Sequence, residues 1–409
     1  MIIGKKSKVL VATFSPWKDG ARLPTNGMVE PFIRYFSKRA DDFVLIDQPH
    51  PGSDMVLPRI ECYKKGKLVG IKNNSFIVSL LLPILAITNS HKTQITFKIR
   101  DFLSVCDWVV GQGKSIDVFI GFESVNALAG ILLKKLGLVK TVVYYVSDFS
   151  PRRYKGNWFN KLYLVLDKIS TTHADATWNV SPAMSEARKK LGYNMAKISP
   201  QIYAPNAFFK EEIKQLPLKG IKPFSIIYAG TLGPENGPQI AIQVLKEIIK
   251  KFPGATLTIA GGGTRKDEES LKGLTKKLKL EKNIFFRGFV PTNKELYDLV
   301  RHHAISIAPY RAIPNSVRWY ADAVKIRMSL ACGVPVVTTK VPPMGKEAER
   351  FGAAISTKDN PHDLAKAVIE IFSHKNKYLK MRRSAITAAK ENTWENSYSN
   401  ALMRTGHLV

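Results

Sequence analysis

The stretch YADAVKIRMSLACGVPVVTTKVPP, Tyr320–Pro343, decides the fold. Its right half holds Val334, Val336 and Val337, a short apolar run rich in β-branched residues that predicts a buried strand. Gly333, just before that run, suits the left-handed position that ends a helix. The helix it ends is predicted to start at Asp322 as N-cap, with Val324, Met328 and Ala331 at helical spacing facing inward. Lys325 then lies in the first turn, at the positive end of the helix dipole, where a cation is disfavoured. Either solvent and Asp322 offset that lysine, or something else at the site answers its charge.

Working outward, short apolar strands alternate with helical segments. In the first half, Lys8–Phe14, Phe43–Gln48, Asp117–Phe122 and Thr141–Val146 read as strands, with a helix over Asn126–Leu136. The pattern restarts after Pro205 with strands at Phe224–Gly230, Ala255–Gly263, Asn283–Val290 and Ala304–Tyr310, and VPVVTT closes the series. Helices are expected at Pro238–Phe252 and Leu296–His303. Near-continuous apolar strands between helices imply parallel sheets covered on both faces. The expectation is an α/β chain of two Rossmann-like, doubly wound domains, 1–205 and 206–385. The carboxyl ends of their strands are expected to face a central cleft, the usual ligand site of such sheets.

The chain has 409 residues, 45% of them hydrophobic, enough for two or three domains and a sizeable core. Its formal net charge is +29, and the excess divides evenly, +14 over residues 1–205 and +15 over 206–409. An even split argues against a single basic arm and for basic surfaces on both halves, as polyanionic partners or an anionic membrane face would favour. Cys62, Cys106 and Cys332 are far apart in sequence, form no metal-ligand spacing and suggest a reduced, cytoplasmic setting. Ser75–Ile87 is the longest apolar stretch. It is shorter than the roughly 20 residues of a spanning helix and is interrupted by Pro83, so it reads as a core segment or a surface contact with lipid.

Two glycine-rich turns follow strands of the second half, YAGTLGPENG at Tyr228–Gly237 and AGGGT at Ala260–Thr264. Glycine there lets backbone amides approach an anion, although tight strand–helix turns also use it for steric reasons. Lys266 occupies the last place of a would-be G-x-G-x-x-G, which counts against a nicotinamide dinucleotide site.

Taken in order, Gly230–Gly237, Gly261–Gly263, RGFV at Arg287–Val290, IAPYR at Ile307–Arg311 and KIRMSLACGVPVV resemble the donor half of GT-B glycosyltransferases of group 1. Asn26-Gly27 after the first strand, Pro205-Asn206 and ENTWENSY at 391–398 fit the same plan, in which helices at about 386–409 cross back onto the first domain. Lys325 eight residues before Gly333, followed by Pro335, is similar to enzymes like the xanthan glucuronosyltransferase. The resemblance implies transfer of a sugar from a nucleotide diphosphate donor, with uridine the expected base, and neither a metal nor a cofactor. The donor site it implies comprises Lys325, Arg311, Gly230, Thr231, Gly262, Tyr320 and Asp322, with Arg265 and Arg318 as further cations. Asp322 reads as an N-cap more than as a ligand. A diphosphate at the helix start would turn an unfavourable lysine into a paired one.

Many retaining members carry two glutamates around this block, where Tyr320 and Met328 stand here, and a basic pair in the first glycine loop, where Thr231 and Asn236 stand. These departures favour the inverting branch, in which a general base deprotonates the acceptor hydroxyl. Asp148, in YYVSDFSPRRY at a strand end, is the expected base, unless it merely caps the turn before Ser150-Pro151. Glu123 is the reserve. Asn26, Gly27, Arg152 and Arg153 are assigned to the acceptor side. No D-x-D triplet occurs, consistent with cationic side chains in place of a metal–diphosphate. A sugar-nucleotide epimerase of the same fold is the alternative enzyme. A nucleic-acid-binding protein has only the charge in its favour and no recognition motif. The charge fits better with peripheral attachment to the inner face of the cell membrane, where anionic lipid attracts each nearby Lys or Arg by about 1 kcal/mol, and with a lipid-linked or glycan acceptor in cell-surface polysaccharide or glycolipid synthesis.

Overall fold

The computed structural model describes residues 7–23, 28–50, 52–72, 78, 80, 94–154 and 156–407. Asn26, Gly27 and nearly all of Ser75–Ile87 lie outside the described residues. The chain divides into two units, Met1–Ala204 with Tyr398–Val409, and Pro205–Ser397.

Among the described residues the first unit has ten strands: β1 Lys8–Ser15, β2 Trp17–Lys18, β3 Ala21–Arg22, β4 Asp42–Pro49, β5 Arg59–Lys64, β6 Lys67–Lys72, β7 Ile116–Phe122, β8 Val139–Val146, β9 Ala176–Asn179 and β10 Gln201–Tyr203. Eight form one sheet in the order β10-β9-β8-β7-β1-β4-β5-β6, parallel except for β5 and β6, while β2 and β3 pair in a small ribbon. Val9–Ala12 and Phe119–Phe122 are buried throughout because helices cover both sheet faces. The order reverses between β1 and β7, so the carboxyl ends of these two strands flank a crevice. The β5–β6 hairpin was not anticipated. RIECYK and KLVGIK carry too many charges to read as a core strand pair, as suits the edge of a sheet. The helix Gln94–Gln112 was also missed, because its apolar residues cover no single face: Phe97 and Val105 are buried while Ile95 and Ile99 are exposed.

The second unit is a parallel sheet of β11 Lys222–Ala229, β12 Thr256–Ala260, β13 Ile284–Gly288, β14 His303–Ala308, β15 Val336–Thr339 and β16 Ala354–Thr357, in the order β13-β12-β11-β14-β15-β16. Along β11 the side chains alternate between two cores. Ile226 and Tyr228 pack with the helices Pro238–Ile248 and Pro361–Ser373, whereas Ile227 and Ala229 pack with the helix Val324–Ala331. Here the reversal lies between β11 and β14.

Within Tyr320–Pro343 the helix runs Val324–Ala331 and Gly333 ends it at φ 67°. Met328 and Ala331 are buried as expected, but Val324 is 49% exposed. Asp322 is not the N-cap. Ala323 holds that position, and no side chain caps the helix. The return of the C-terminal helices, expected from about residue 386, begins at Tyr398, inside the helix Trp394–Leu402. The preceding helix, Lys375–Glu391, stays with the second unit, where Ala385, Ala388 and Ala389 share a core with Ile326 and Leu330. Tyr398 then joins the aromatic core of the first unit, stacked on Phe32 at 5.6 Å and on Trp178 at 6.3 Å.

Candidate functional site

In the second unit, Lys325 leaves the first helical turn and crosses the carboxyl ends of β11 and β14. Its Nζ donates to Tyr228 Oη at 3.2 Å and lies 4.3 Å from the Tyr228 ring centre and 4.6 Å from that of Tyr310. Two aromatic faces thus hold an ammonium for which no carboxylate partner is found among the described residues. Gly230 makes the crossing possible. A Cβ there would lie 2.9 Å from Lys325 Cε, and its φ of 149° belongs to glycine. Burial, reinforced by the nearby Arg318 and opposed by Glu235, pulls the Lys325 pKa down to about 7.

Arg318 is the second cation of this site. Its guanidinium sits 5.9 Å from the Tyr310 ring and 3.8 Å from Glu235 Oε1, and its buried Nε has no hydrogen-bond partner among the described residues. Two cations against one carboxylate, beside the glycine turn, suit an anion with more than one negative charge. The turn itself is backbone set against backbone. Gly230 N–H donates to Ala260 C=O at 2.9 Å, and Leu232 N–H to Gly262 C=O at 3.0 Å.

Other expected donor residues have different work. Arg311 Nε donates to both oxygens of Asp359, at 3.1 and 2.9 Å, so its charge ties two loops together. The Asp322 side chain is buried with Arg327 Nε at 2.8 and 2.7 Å and accepts from the Asn206 backbone and amide, at 3.1 and 3.0 Å. It therefore anchors the start of the second unit to this helix. Thr231 is a local strut, its hydroxyl accepting from Asn236 Nδ2 at 2.8 Å and its carbonyl from Tyr228 Oη at 2.5 Å. Tyr320 is half-buried beside the 3₁₀ turn that carries Arg318. A Cβ at Gly262 would be in ordinary contact with the Phe289 side chain, at 3.6 Å. Arg265 is 92% exposed and, among the described residues, pairs with Glu269, four residues along its own helix. Arg265→Ala is therefore expected to change neither stability nor nucleotide affinity by more than about 0.5 kcal/mol, by thermal unfolding and titration.

In the first unit, β7 ends at Phe122 and the next residue, Glu123, opens a helix with φ 64°, a conformation non-glycine residues rarely adopt. Glu123 Oε1 accepts from Ser147 N–H at 3.0 Å and from Ser147 Oγ at 2.8 Å, directly beyond the end of β8. Asp148, the next residue, keeps 44% of its side chain exposed and pairs with Arg153 at 3.0 Å, while Tyr163 donates to its carbonyl at 3.3 Å. Burial first, and the Asp148 charge second, push the Glu123 carboxyl upward. Ser147 and Arg153 oppose the shift. Glu123, Asp148 and Arg153 line one cavity of about 350 Å³ at the β1–β7 reversal, together with His50, Lys98 and Tyr163. Arg152 is exposed beside it.

The structure thus brings together Glu123 with Asp148 and Arg153, and Lys325 with Gly230. Sequence reading placed no weight on Tyr228, Tyr310, Glu235 or Lys98. The only signal for the two tyrosines was their position at the ends of YAG and APY strands. His303 is structural, its nitrogens held 2.8 Å from Leu299 O and from Thr258 Oγ1. Among the described residues, no three His, Cys, Asp or Glu gather as a metal site, and no helix is long and apolar enough to cross a membrane.

Residues 209–391 match the family described as glycosyl transferases group 1. "Putative glycosyltransferase YtcC" of Bacillus subtilis is 26% identical over 167 residues, a match that spans 39% of this chain and 39% of that relative. Among solved structures, Anabaena HepE in complex with UDP superposes with a TM-score of 0.66 at 15% identity, over 98% of both chains. Sucrose-phosphate synthase from Thermosynechococcus elongatus gives 0.68 at 13%, again over 98% of both chains. Residues 209–391 thus carry a match to the group 1 glycosyltransferases, and over nearly its whole length the chain shares the GT-B fold of these solved structures.

Proposed function

We propose that this chain transfers a hexosyl or glucuronosyl group from a uridine diphosphate donor to a lipid-linked or glycan acceptor, with inversion at the sugar carbon. The observation that carries this reading is Lys325, an ammonium held over two tyrosine rings beside Gly230 and Arg318, where a diphosphate would find two cations. Uridine is favoured because the fold is shared with HepE, which binds UDP.

The second unit holds the donor. Lys325 and Arg318 meet the charge that grows on the leaving diphosphate, so bound metal is not required. The first unit supplies the base. Asp148 takes the proton from the acceptor hydroxyl as it attacks the sugar carbon, and Arg153 steadies that carboxylate. The acceptor belongs to cell-surface polysaccharide or glycolipid synthesis, and the protein works peripherally at the cytoplasmic face of the membrane, to which its +29 charge draws it.

The test is thermal unfolding with UDP, the diphosphates of the other bases, and uridine. UDP is expected to raise the melting temperature most, and uridine to raise it little. No shift with any nucleoside diphosphate would sink the donor reading. For the membrane, the protein is expected to co-sediment with vesicles containing anionic phospholipid and to be released as salt rises. Equal recovery with neutral vesicles would remove that part of the reading.

A further inference from the structure

Beside the carboxylate cavity of the first unit lies a second one, of about 320 Å³, between the helices Gln94–Gln112, Glu123–Lys135 and Asn157–His173. Ile99, Phe102, Leu128, Phe159, Leu162 and Leu166 make it almost wholly apolar. Lys98, Ser124, Val125, Tyr154 and Tyr163 line both cavities, so the apolar groove and the Glu123–Asp148 pocket adjoin, with a change of polarity from one to the other. At the groove, Ile95, Ile99 and Leu162 are 44%, 50% and 39% exposed. Trp158, Val165 and Ile169 continue the apolar stripe along the Asn157–His173 helix at 64%, 51% and 39%.

A single solvated polar glycan would not use such a surface, and a run of exposed apolar side chains of this kind marks a binding site. Lys98 stands at the junction. Its Nζ is 3.7 Å from Asp101 Oδ2, a loose pair, and Asp101 is already held by Arg100 at 2.6 Å. The order across the two adjoining cavities is therefore hydrocarbon surface, then a cation, then the two carboxylates. An acceptor built as hydrocarbon chain, anionic link and sugar hydroxyl has the same order.

We infer that the groove receives the hydrocarbon chain of an amphiphilic acceptor whose phosphate lies at Lys98 and whose hydroxyl reaches the Glu123–Asp148 pocket. This rests on the glycosyltransferase reading and narrows its acceptor to a long-chain lipid phosphate carrying a glycan. The chain is drawn out of water by burial of its methylenes, and the phosphate fixes how far it slides in.

The probe is an alkyl phosphate series, dodecyl, decyl and octyl, with dodecanol and inorganic phosphate as controls. All are used below their micelle concentrations on the full chain, in competition with a fluorescent dansyl-undecanoate. Dodecyl phosphate is expected to displace the fluorophore at one site, and each loss of two methylenes is expected to weaken it by about tenfold. Leu128→Trp fills the groove, and Ile99→Asp, at an exposed position that folding tolerates, places an anion at its mouth. Each is expected to lower dodecyl phosphate affinity by about tenfold or more. Lys98→Gln is expected to bring dodecyl phosphate close to dodecanol. UDP affinity, measured on the same samples, reports on the second unit and is expected to stay unchanged in all three variants. Absence of saturable binding, as would follow if another part of this chain fills the groove, overturns the inference. Affinity independent of chain length, or untouched by both groove variants, overturns it too. Any of these with UDP binding intact leaves the donor reading standing, and loss of UDP binding in the unmodified chain counts against that reading alone.

Discussion

Lys325→Ala is expected to weaken UDP by about 1.5–3 kcal/mol, the range for a hydrogen bond to a charged group, while uridine affinity barely changes. The ligand-free fold is expected to be as stable as before or slightly more so. A cation at a helix start costs a few tenths of a kcal/mol, and this one is also removed from water. The pH dependence follows from its position. Burial and Arg318 bring Lys325 to about 7 in the free protein, below the 10.5 of an ordinary lysine. An unfolded chain therefore holds more protons than the folded one between about pH 7 and 10, so this group's contribution to stability rises with pH across that window. Diphosphate binding works in the opposite direction. Two negative phosphates beside the ammonium favour its charged form, so the complex takes up a proton, and affinity is full below about 7 and falls as pH rises beyond it. Titration calorimetry between pH 7 and 9, in buffers of different ionisation enthalpy, is expected to show that uptake and to lose it in the alanine variant. Equal losses for UDP and uridine would mean that Lys325 only shapes the pocket. A flat pH profile in the unmodified protein would mean that no phosphate sits at its Nζ.

How much of this was legible depended on how far apart the partners lie in sequence. Strands buried on both faces, such as β7 and β11, announce themselves as unbroken apolar runs, and the glycine that ends the Val324–Ala331 helix is a local signal. That Lys325 is in a first turn was equally local. What holds it was not, because Tyr228 and Tyr310 become neighbours only when β11 and β14 lie side by side at the reversal of the sheet. The same limit hid the partners of Arg311 and Asp322. A basic residue in a loop reads as a free charge until Asp359 arrives 48 positions later, and Asp322 reads as a cap because its second partner, Asn206, lies 116 positions earlier. Charge that looks available in a sequence is available only if the fold leaves it so. Asp148 and Glu123 were legible for the converse reason. Both follow a strand directly, and in a doubly wound sheet that position alone sends them to the crevice.

Which of those two carboxylates takes the proton is the sharper question, and the geometry orders them. Asp148 lines the cavity with nearly half its side chain exposed, with Arg153 on one oxygen and no hydrogen bond to the other among the described residues. Glu123 is half-buried and turned toward Ser147, accepting two hydrogen bonds on one oxygen. A base that must meet an incoming hydroxyl is better placed in the first position. Glu123, held at φ 64°, fixes the Ser147–Asp148 strand end that presents it. Asp148→Asn keeps the size of the side chain and removes its ability to take a proton, so the turnover number is expected to fall by about 100-fold or more with UDP affinity intact. Glu123→Gln retains an oxygen that accepts from Ser147 and is expected to cost only about tenfold in turnover, most of it through altered placement and charge around Asp148. The pH profile separates base from support. The acidic limb of the turnover profile should vanish in Asp148→Asn, because the carboxylate that takes the acceptor's proton is gone, and should persist in Glu123→Gln. The reverse pattern, with the large loss and the missing limb in Glu123→Gln, would make the buried carboxylate the base and leave Asp148 as the group that raises its proton affinity.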